Sequence, residues 1–340
     1  PYEPARAAAL TVGEEPLFID VPGDPFAEAQ AKADHTGERD PTVHMRAAWL
    51  PALARGDAFG AISGSQRASL LGQLGLMGRL TGAPAHQERV HVMPAGFDFG
   101  SLPVGQPRTW AERCPRFVVA LCGGYNTWLD GDSLLEGLIQ GMRAIPALHV
   151  VSTGGAIPGH HNATYESFRA QAMASGFSGR FTFHGWVPHS VLPRLLSSAQ
   201  VGVSMDRPGV EAELGTRTRL LFFAHQGLTP MSTTRCDLSK ELAGLRMLQP
   251  LEMGEPRSLA ESLVAAWEEG SDGSTAKRAQ GYLESRCAPR RALKGMLDFV
   301  EHPFRASPSL DREAELAAEL ARVKEELAGV YNTPTWKVTA

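Results

Sequence analysis

Residues 204–232, with the sequence SMDRPGVEAELGTRTRLLFFAHQGLTPMS, decide the fold class of this chain. They follow a short apolar strand that contains Val201 and Val203. The charged first half of the stretch leads into a helical segment over 220–226, and Gly227 stands where a helix commonly ends in a left-handed residue. The residues after this glycine have the composition of another strand. A strand, a polar loop, a helix and a second strand form a right-handed βαβ unit, which predicts a parallel sheet.

The loop of this unit carries two acids and two arginines, with the members of each pair two residues apart. In open α/β sheets ligands bind beyond the carboxyl ends of the strands, where this loop lies. Carboxylates can hold hydroxyl groups, arginines can hold phosphates, and a helix N-terminus adds positive potential, so the loop suits a nucleotide sugar. A solvated loop with internal salt bridges explains the same spacing equally well. The residues of interest are Glu211, Glu213, Gly215, Thr216, Arg217 and Arg219.

The segment 117–269 repeats the alternation of strand and helix. Its first six residues, FVVALC, form the unbroken apolar run that is typical of a parallel strand covered on both faces. A helix over 134–144, capped by Asp132 and Ser133, follows this strand. The pattern predicts an open α/β sheet of Rossmann type. Further strands are predicted at 148–152, 180–184, 200–204, 228–234 and 250–252, and further helices at 165–175, 191–198, 238–243 and 258–269.

Glycines follow three of these strands, at Gly123 and Gly124, at Gly154 and Gly155, and at Gly185. Glycine at a strand end lets the backbone approach a phosphate closely and adopt positive φ, although glycine is also ordinary strand punctuation. None of the three forms GxGxxG followed by an acid at the expected distance, which argues against a dinucleotide-dependent dehydrogenase. The sequence also lacks GxxxxGK[ST], which argues against a P-loop ATPase.

Residues 1–96 contain fewer strands than a full doubly wound domain needs. Strands are predicted at 16–20, 57–63 and 91–96, with a helix over 42–54 and another that begins near Ser65. Residues 28–40 are polar and are expected to be mobile. We therefore predict an incomplete Rossmann-like half with exposed apolar surface, and a chain that is a fragment of a longer one. Asp20, at the end of the first strand, is a candidate general base or substrate hook, but capping of the next turn is the favoured interpretation.

Composition narrows the function further. The chain has 340 residues and a formal net charge of −4, which gives no electrostatic reason to expect a nucleic-acid partner. Its four cysteines lack metal-site spacing, so we expect reduced thiols in a cytoplasmic protein without a metal. His160 and His161 are adjacent and without partner ligands, and we expect them to be exposed. No apolar run approaches the roughly 20 residues of a membrane helix.

Four short motifs give residues 117–266 a resemblance to the C-terminal donor-binding domain of GT-B glycosyltransferases, similar to glycosyltransferase family 4. They are GGYNTW at 123–128, STGG at 152–155, FHGWVP at 183–188 and ExELGxRxR at 211–219. Segments 57–80 and 91–96 resemble the end of the N-terminal domain and the crossover into the linker. The resemblance covers residues 55–300 and implies two Rossmann-like domains, of which only the C-terminal one is complete.

The resemblance also implies roles for individual residues. Gly123 and Gly124 would lie beside the donor diphosphate, and Trp186 and Val187 would flank the nucleobase. The second glutamate of the family motif, which holds the ribose, is replaced by Phe222, and the usual phosphate-binding arginine and lysine are missing. The implied catalytic residues are Glu213, Arg217 and Arg219. The implied donor-binding residues are Gly123, Gly124, Tyr125, Asn126, Gly154, Gly155, Trp186, Val187, Glu211, Gly215 and Thr216.

In this scheme Glu213, or Glu211 beside it, lies near the transferred sugar. Arg217 and Arg219 replace the missing phosphate clamp, because both point to one face if the loop is extended. Their alternative role is surface ion pairing with the two glutamates.

The tail differs from the rest of the chain. Residues 311–330 carry apolar side chains at alternating spacings of four and three, which indicates a short coiled coil or a helix packed on the body. The segment TPTWKVT at 333–339 resembles one found in bacterial polysaccharide-assembly glycosyltransferases. The predicted boundaries are an N-terminal remnant at 1–96, a linker at 97–115, a donor-binding domain at 116–302 and a helical tail at 303–340. The apolar positions of the tail are Leu316, Leu320, Val323, Leu327 and Val330.

The function expected from the sequence is sugar transfer from a nucleotide sugar to a glycan, lipid-linked or other acceptor, with retention and without a metal or other cofactor. The alternative is a non-catalytic GT-B-like module that binds a nucleotide sugar or a partner protein. Expected features also include self-association through the tail helix and a role in bacterial polysaccharide biosynthesis. Peripheral association with the inner membrane is left open.

Overall fold

Two parallel β-sheets organise the described part of the chain, one of three strands and one of six. The computed structural model describes residues 2–37, 42–80, 88–96, 103–157, 162–306 and 312–331, and in the last segment it describes side chains only over 320–329. All described strand pairs are parallel, apart from two isolated antiparallel bridges outside the strands. The mixed α/β architecture predicted from the sequence is confirmed.

The small sheet has the strand order β1-β2-β3. Its core contains Trp49 and Phe59, both fully buried, whose rings meet edge to face at 6.4 Å. The three strands predicted over residues 1–96 are therefore present. The strands are β1 (Phe18–Val21), β2 (Ala58–Ala61) and β3 (Val90–Val92). The helices are α1 (Glu3–Thr11), α2 (Pro25–Thr36), α3 (Thr42–Arg55) and α4 (Gly64–Leu76).

Helix α2 corrects the prediction that residues 28–40 are mobile, because residues 28–36 are helical. The Asp24 carboxylate caps the helix by accepting hydrogen bonds from the backbone N–H groups of Phe26 and Ala27, each at 3.0 Å. The helix ends at Gly37, whose φ of +74° is the left-handed conformation of a C-terminal cap. Polar composition alone failed here, because an exposed amphipathic helix is mostly polar.

The large sheet has the strand order β6-β5-β4-β7-β8-β9. The chain runs outward from β4 to one edge, returns to β7 beside β4, and runs outward to the other edge. This arrangement is the doubly wound Rossmann topology, and its switch point lies between β4 and β7. The strands are β4 (Phe117–Gly124), β5 (Leu148–Gly155), β6 (Phe181–Phe183), β7 (Val201–Ser204), β8 (Thr229–Thr233) and β9 (Gln249–Leu251).

Helices cover both faces of the large sheet, and each face has its own apolar core. One core contains Leu138 and Leu259, and the other contains Leu220 and Phe223. The helices are α5 (Gly131–Ala144), α6 (Ala163–Ala174), α7 (Leu192–Leu196), α8 (Val210–Leu214), α9 (Thr218–His225), α10 (Asp237–Gly244), α11 (Pro256–Glu269) and α12 (Ser274–Cys287). Single 3-10 turns occur at Ser178–Arg180 and His189–Val191.

The cap of α5 is Asp130, and not Asp132 or Ser133 as predicted. The Asp130 carboxylate accepts a hydrogen bond from the Ser133 N–H at 3.1 Å. The cap therefore lies two residues earlier than the sequence suggested, since several polar residues in a row make the first helical residue ambiguous.

After α12 the chain returns to the small sheet through α13 (Pro289–Ala292) and α14 (Lys294–Glu301). The Phe299 ring lies 5.5 Å from the Phe18 ring of β1. Farther on, the Ala306 N–H donates to the buried Asp57 carboxylate at 2.9 Å. The end of the segment predicted as 116–302 thus packs on the small sheet.

The last described helix is α15 (Arg312–Tyr331). All of its described side chains, over 320–329, are exposed, so this part of the helix does not pack on the body. The predicted motif at 333–339 lies outside the described residues. Among the described helices, none combines the length and the apolar character needed to cross a bilayer.

Candidate functional site

The candidate site lies at the carboxyl edge of the large sheet, at the switch point. Strands β4 and β7 pair at Val119 with Val201 and at Ala120 with Gly202, and beyond these pairs their continuations separate. Parallel sheets of this topology bind ligands in the crevice that opens there. The loops from β4 to α5 and from β7 to α8 border this crevice, and α9 begins beside it.

Two pairs of the glycines predicted to follow strands are in fact the last residues of β4 and β5, whereas Gly185 follows β6 as predicted. Gly123 pairs with Gly154 and Gly124 pairs with Gly155 in continuous register. Gly123 and Gly154 have φ values of +94° and +88°, and a Cβ atom on Gly154 would lie 2.2 Å from the Gly123 carbonyl oxygen. Only glycine fits there, so the sheet ends in a bare backbone surface without side chains.

Arg219 lies against this bare backbone. Its Nη2 donates to the Gly124 carbonyl oxygen at 2.8 Å, and a Cβ atom on Gly123 would lie 4.0 Å from the same nitrogen. The side chain is partly exposed, and burial lowers the pKa of its guanidinium. Among the described residues no carboxylate lies within ion-pair distance of it. A cation of this kind at the switch point can accept an anionic ligand.

Arg217 has a different environment. It is buried, with 4% of its side chain exposed. Its Nε donates to Asp206 Oδ1 at 2.8 Å, and its Nη1 and Nη2 donate to Glu211 Oε1 and Oε2 at 3.0 and 2.7 Å. Burial alone would lower the pKa of Arg217, but the two carboxylates outweigh this effect and raise it. The charge of the guanidinium is thus paired within an Asp206–Arg217–Glu211 triad.

The expectation that both arginines point to one face of an extended loop is therefore wrong. Helix α9 already begins at Thr218, and Arg217 is its N-cap residue. Successive helical residues are rotated by about 100°, so residues two apart project in nearly opposite directions. The salt-bridge interpretation describes Arg217, whereas Arg219 points toward the strand ends.

The triad also accounts for Gly215. A Cβ atom on this residue would lie 2.4 Å from Glu211 Oε1 and 2.9 Å from Arg217 Nη1. Glycine therefore leaves room for the bidentate ion pair. Packing explains the glycine at this position, which the sequence resemblance had assigned to donor binding. Asp206 itself was missed in the sequence. The available signal was a polar residue directly after an apolar strand, inside the stretch SMDRPG.

Helix α8 carries the second predicted acid to the junction of the two sheets. The helix packs against α2 and α4 of the small sheet. Glu213 pairs with Arg235 at 2.5 Å, with 47% and 51% of the two side chains exposed. Close by, Ser65 donates from its N–H and its hydroxyl to Asp237 of α10, at 2.9 and 2.6 Å. These contacts hold the small sheet over the carboxyl edge of the large one, with Thr216 at their border.

Tyr125 and Asn126 begin the loop after β4. The Tyr125 ring is buried, its hydroxyl lies 2.9 Å from Ser152 Oγ, and its N–H donates to the Gly155 carbonyl at 3.1 Å. Tyr125 thus supports the loop from below. Asn126 is partly exposed, and its carbonyl accepts from the Leu129 N–H at 3.0 Å.

Trp186 offers an aromatic surface on the other side of the glycines. It is 59% exposed, and its Nε1 donates to the Ala156 carbonyl at 2.5 Å. The preceding Gly185 carbonyl accepts from the Gly154 N–H at 2.7 Å, which joins the loop after β6 to the end of β5. Val187 is partly exposed beside it. A large apolar ring held in this way is available for stacking.

Phe222 occupies the place where the resemblance expects a ribose-binding glutamate. It is 7% exposed, belongs to the core between α9 and the sheet, and lies 6.0 Å from the His189 ring. A side chain in this position supplies packing and no hydrogen-bond acceptor.

A cleft of about 460 Å³ opens between α2 and the loops of the large sheet. Spacing along the sequence does not reveal this cleft, because it combines residues that are far apart in the chain. Among its lining residues, Arg207 donates to the Leu129 carbonyl at 3.1 Å and pairs with Asp132 at 3.2 Å. The other polar or aromatic lining residues include Gln30, Asp34, His35, Thr127, Trp128 and Asp130.

His160 and His161 lie outside the described residues, so the expectation about them stays a prediction. Within the described ranges, no three side chains of His, Cys, Asp or Glu come together as a potential metal site.

The contact of α2 with α8 contains one strongly perturbed acid. Burial raises the pKa of Glu28 from 4.5 to about 7, and the nearby negative charge of Glu211 contributes to the rise. A hydrogen bond with Tyr2 opposes it. The neutral form of Glu28 is therefore favoured at this contact.

Comparisons with known proteins give the fold. No family model matches the sequence, and no curated protein matches it. Among solved structures, Anabaena HepE in complex with UDP-glucose has a TM-score of 0.65 at 15% identity, over 88% of this chain and 76% of HepE. Sucrose-phosphate synthase from Thermosynechococcus elongatus has a TM-score of 0.58 at 15% identity, over 84% and 67%.

A third similar structure is the trehalose-phosphate synthase from Burkholderia xenovorans, with a TM-score of 0.60 at 10% identity, over 88% of this chain and 70% of the synthase. All three are GT-B glycosyltransferases, so the chain has the GT-B fold, as predicted. Identities of this size establish the fold, and they do not establish assignment to family 4.

We predict that Arg217→Ala destabilises the fold by about 3–5 kcal/mol, because it leaves two buried carboxylates without their cation. Chemical denaturation would measure the loss. Arg207→Ala is the matched control, since this half-exposed arginine on the same edge should change stability by less than about 1 kcal/mol. Equal effects of the two substitutions would contradict a structural role for the triad.

We also predict that the free energy of unfolding falls as the pH rises from 4.5 to 7. Glu28 binds its proton more tightly in the folded state than in the unfolded state, so the stability gained from protonation is lost through this window. Glu28→Gln should remove about 1–3 kcal/mol of this pH dependence. Parallel denaturation curves of both proteins at several pH values provide the measurement, and superimposable pH profiles would refute the prediction.

Proposed function

We propose that this GT-B chain transfers a sugar from a nucleotide-sugar donor to a glycan, lipid-linked or other acceptor. The observation that carries the proposal is the Arg219 guanidinium, which lies at the switch point against the bare backbone of Gly123 and Gly124 and has no carboxylate partner among the described residues. A diphosphate is a dianionic ligand that fits such a place. The backbone glycines allow it to approach closely, and the guanidinium neutralises part of its charge.

The same arrangement supports departure of the nucleoside diphosphate. When the bond between the sugar and the diphosphate breaks, negative charge grows on the phosphate oxygen that leaves. Arg219 and the N-terminus of α9 present positive charge at that position before the reaction begins. Arg217 acts in this proposal as a positioning residue, because its triad connects the end of β7, α8 and the start of α9.

Other residues would orient the donor. The exposed Trp186 ring offers a stacking surface for the nucleobase, with Val187 beside it. Of the two predicted acids, Glu211 is occupied by Arg217, so Glu213 is the better candidate to meet the transferred sugar. HepE was solved with UDP-glucose, which makes a uridine diphosphate sugar the first donor to test.

The second candidate function is a binding module without turnover. Phe222 favours it, because an apolar side chain replaces an acid that would read the ribose. A donor-hydrolysis assay with UDP-, GDP-, dTDP- and ADP-sugars distinguishes the two functions. Release of nucleoside diphosphate with turnover supports the transferase, whereas binding without release from any donor supports the module.

Arg219→Ala is predicted to weaken the binding of a nucleoside diphosphate by about 1.5–3 kcal/mol, the range for a hydrogen bond to a charged group. The melting temperature should stay nearly constant, since no ion pair is broken. Calorimetric titration and a thermal melt measure the two quantities, with Arg207→Ala as a control for the loss of one positive charge on the same edge. Unchanged affinity in Arg219→Ala would exclude Arg219 from the phosphate site.

We further propose that the reaction needs no metal ion, because Arg219 and the helix N-terminus supply the positive charge. Retention is proposed only on the resemblance of the sequence motifs to glycosyltransferase family 4. Transfer or donor hydrolysis should then persist in excess EDTA, measured as nucleoside diphosphate released. Loss of activity in the chelator, followed by recovery with Mn²⁺ and not with Ca²⁺, would contradict this mechanism.

A further inference from the structure

Helix α15 exposes a continuous apolar stripe. Leu320, Val323 and Leu327 are 55%, 39% and 47% exposed, and no described part of the body covers them. Most helices in proteins gain their stability by packing an apolar face. A partner that covers this stripe would therefore stabilise α15.

The spacing of the stripe defines a heptad register. Steps of four and three residues place Leu320 and Leu327 at positions a, and Leu316, Val323 and Val330 at positions d. The same register places Glu319 and Glu326 at positions g, and Lys324 and Tyr331 at positions e. Positions e and g flank the seam, and in coiled coils their charges set the partner and the orientation.

These flanking charges favour a second copy in parallel orientation. In a parallel pair, position g of one helix faces position e of the next heptad of its partner, so Glu319 meets Lys324 of the second copy, and the symmetric contact forms as well. In an antiparallel pair the g positions face each other, which brings Glu319 against Glu326. The sequence therefore attracts one arrangement and repels the other.

The charge of the helix argues against a membrane surface as the occupant. Helices that bind membranes carry lysine and arginine beside their apolar face, and anionic headgroups repel glutamate. In α15 the acids outnumber the basic residues. The acids are Glu313, Glu315, Glu319, Glu325 and Glu326, and the basic residues are Arg312, Arg322 and Lys324.

We infer that α15 is a self-association element, which forms a short parallel coiled coil with a second copy of this chain. Leucine at both a positions and valine at two of the three d positions is a combination that also accommodates more than two strands. The stripe is separate from the crevice of the large sheet, so this inference does not rest on the proposed function.

Sedimentation velocity of the full chain over a series of concentrations tests the inference. We expect a mass above the 36.6 kDa of one chain, increasing with concentration. Leu320→Lys should weaken association by about tenfold or more, since it replaces a buried seam residue with a charge. Ala321→Lys, one position outside the seam, is the matched control and should associate like the wild type. A thermal melt of each of the two variants checks that the protein remains folded.

The charges and the orientation have their own tests. Lys324→Glu should weaken association by placing two glutamates opposite each other, and adding Glu319→Lys in the same chain should restore it. Val330→Cys should form an intermolecular disulfide under mild oxidation only if the helices are parallel, because antiparallel pairing separates these residues beyond disulfide reach. The wild type, with its four native cysteines, is the background control.

A constant monomer mass at every concentration would overturn the inference. Association that survives Leu320→Lys unchanged would also overturn it, because another surface would then be responsible. An associated chain whose Val330→Cys variant does not cross-link would refute the parallel arrangement. Donor binding and hydrolysis measured on Leu320→Lys are expected to equal the wild type, so failure of this inference and failure of the proposed function can be told apart.

Discussion

The buried triad of Arg217 with Asp206 and Glu211 is the interaction on which the rest of the candidate site depends. A guanidinium and two carboxylates would each be strongly disfavoured alone in the interior, and only their mutual pairing makes the arrangement tolerable. The pairing joins Asp206, in the loop after β7, to Glu211 of α8 and to Arg217, the N-cap residue of α9. It therefore determines where α9 begins, and with it the direction in which Arg219 points. Gly215 is required at the same place because a side chain would enter the ion pair.

Two arginines that look equivalent in the sequence thus have separate tasks. Arg217 carries its charge inside the protein, where two carboxylates pair with it, and it contributes to the shape of the loop. The other keeps its charge at the edge of the sheet, beside backbone that has no side chains, where an anion can reach it. Electrostatic stabilisation of a leaving group needs a cation that is already in position and not already neutralised. In the proposed function Arg219 would supply this cation, and Arg217 would hold the start of the helix that carries it.

The junction of the two sheets lies at the carboxyl edge of the large sheet, the edge on which this cation lies. Helix α8 packs against α2 and α4, and the Asp237 carboxylate accepts two hydrogen bonds from Ser65 across the junction. Helix α14 then returns to the small sheet, so the chain connects the two sheets twice. The cleft under α2 exists only because of this closure.

The sequence by itself determined the alternation of strands and helices over 117–269, the parallel sheet, the glycines near the strand ends and the heptad spacing of the tail. These features follow from local periodicity and from backbone conformations that few residues adopt, so they are visible without a partner segment. Only the tertiary structure decided which arginine has no carboxylate partner among the described residues. The two carboxylates that pair with Arg217 come from different segments, Asp206 after β7 and Glu211 on α8. It also decided the role of Gly215, the helix over residues 28–36 and the existence of the cleft. Burial and pairing depend on contacts between distant residues, and spacing along the chain does not encode them.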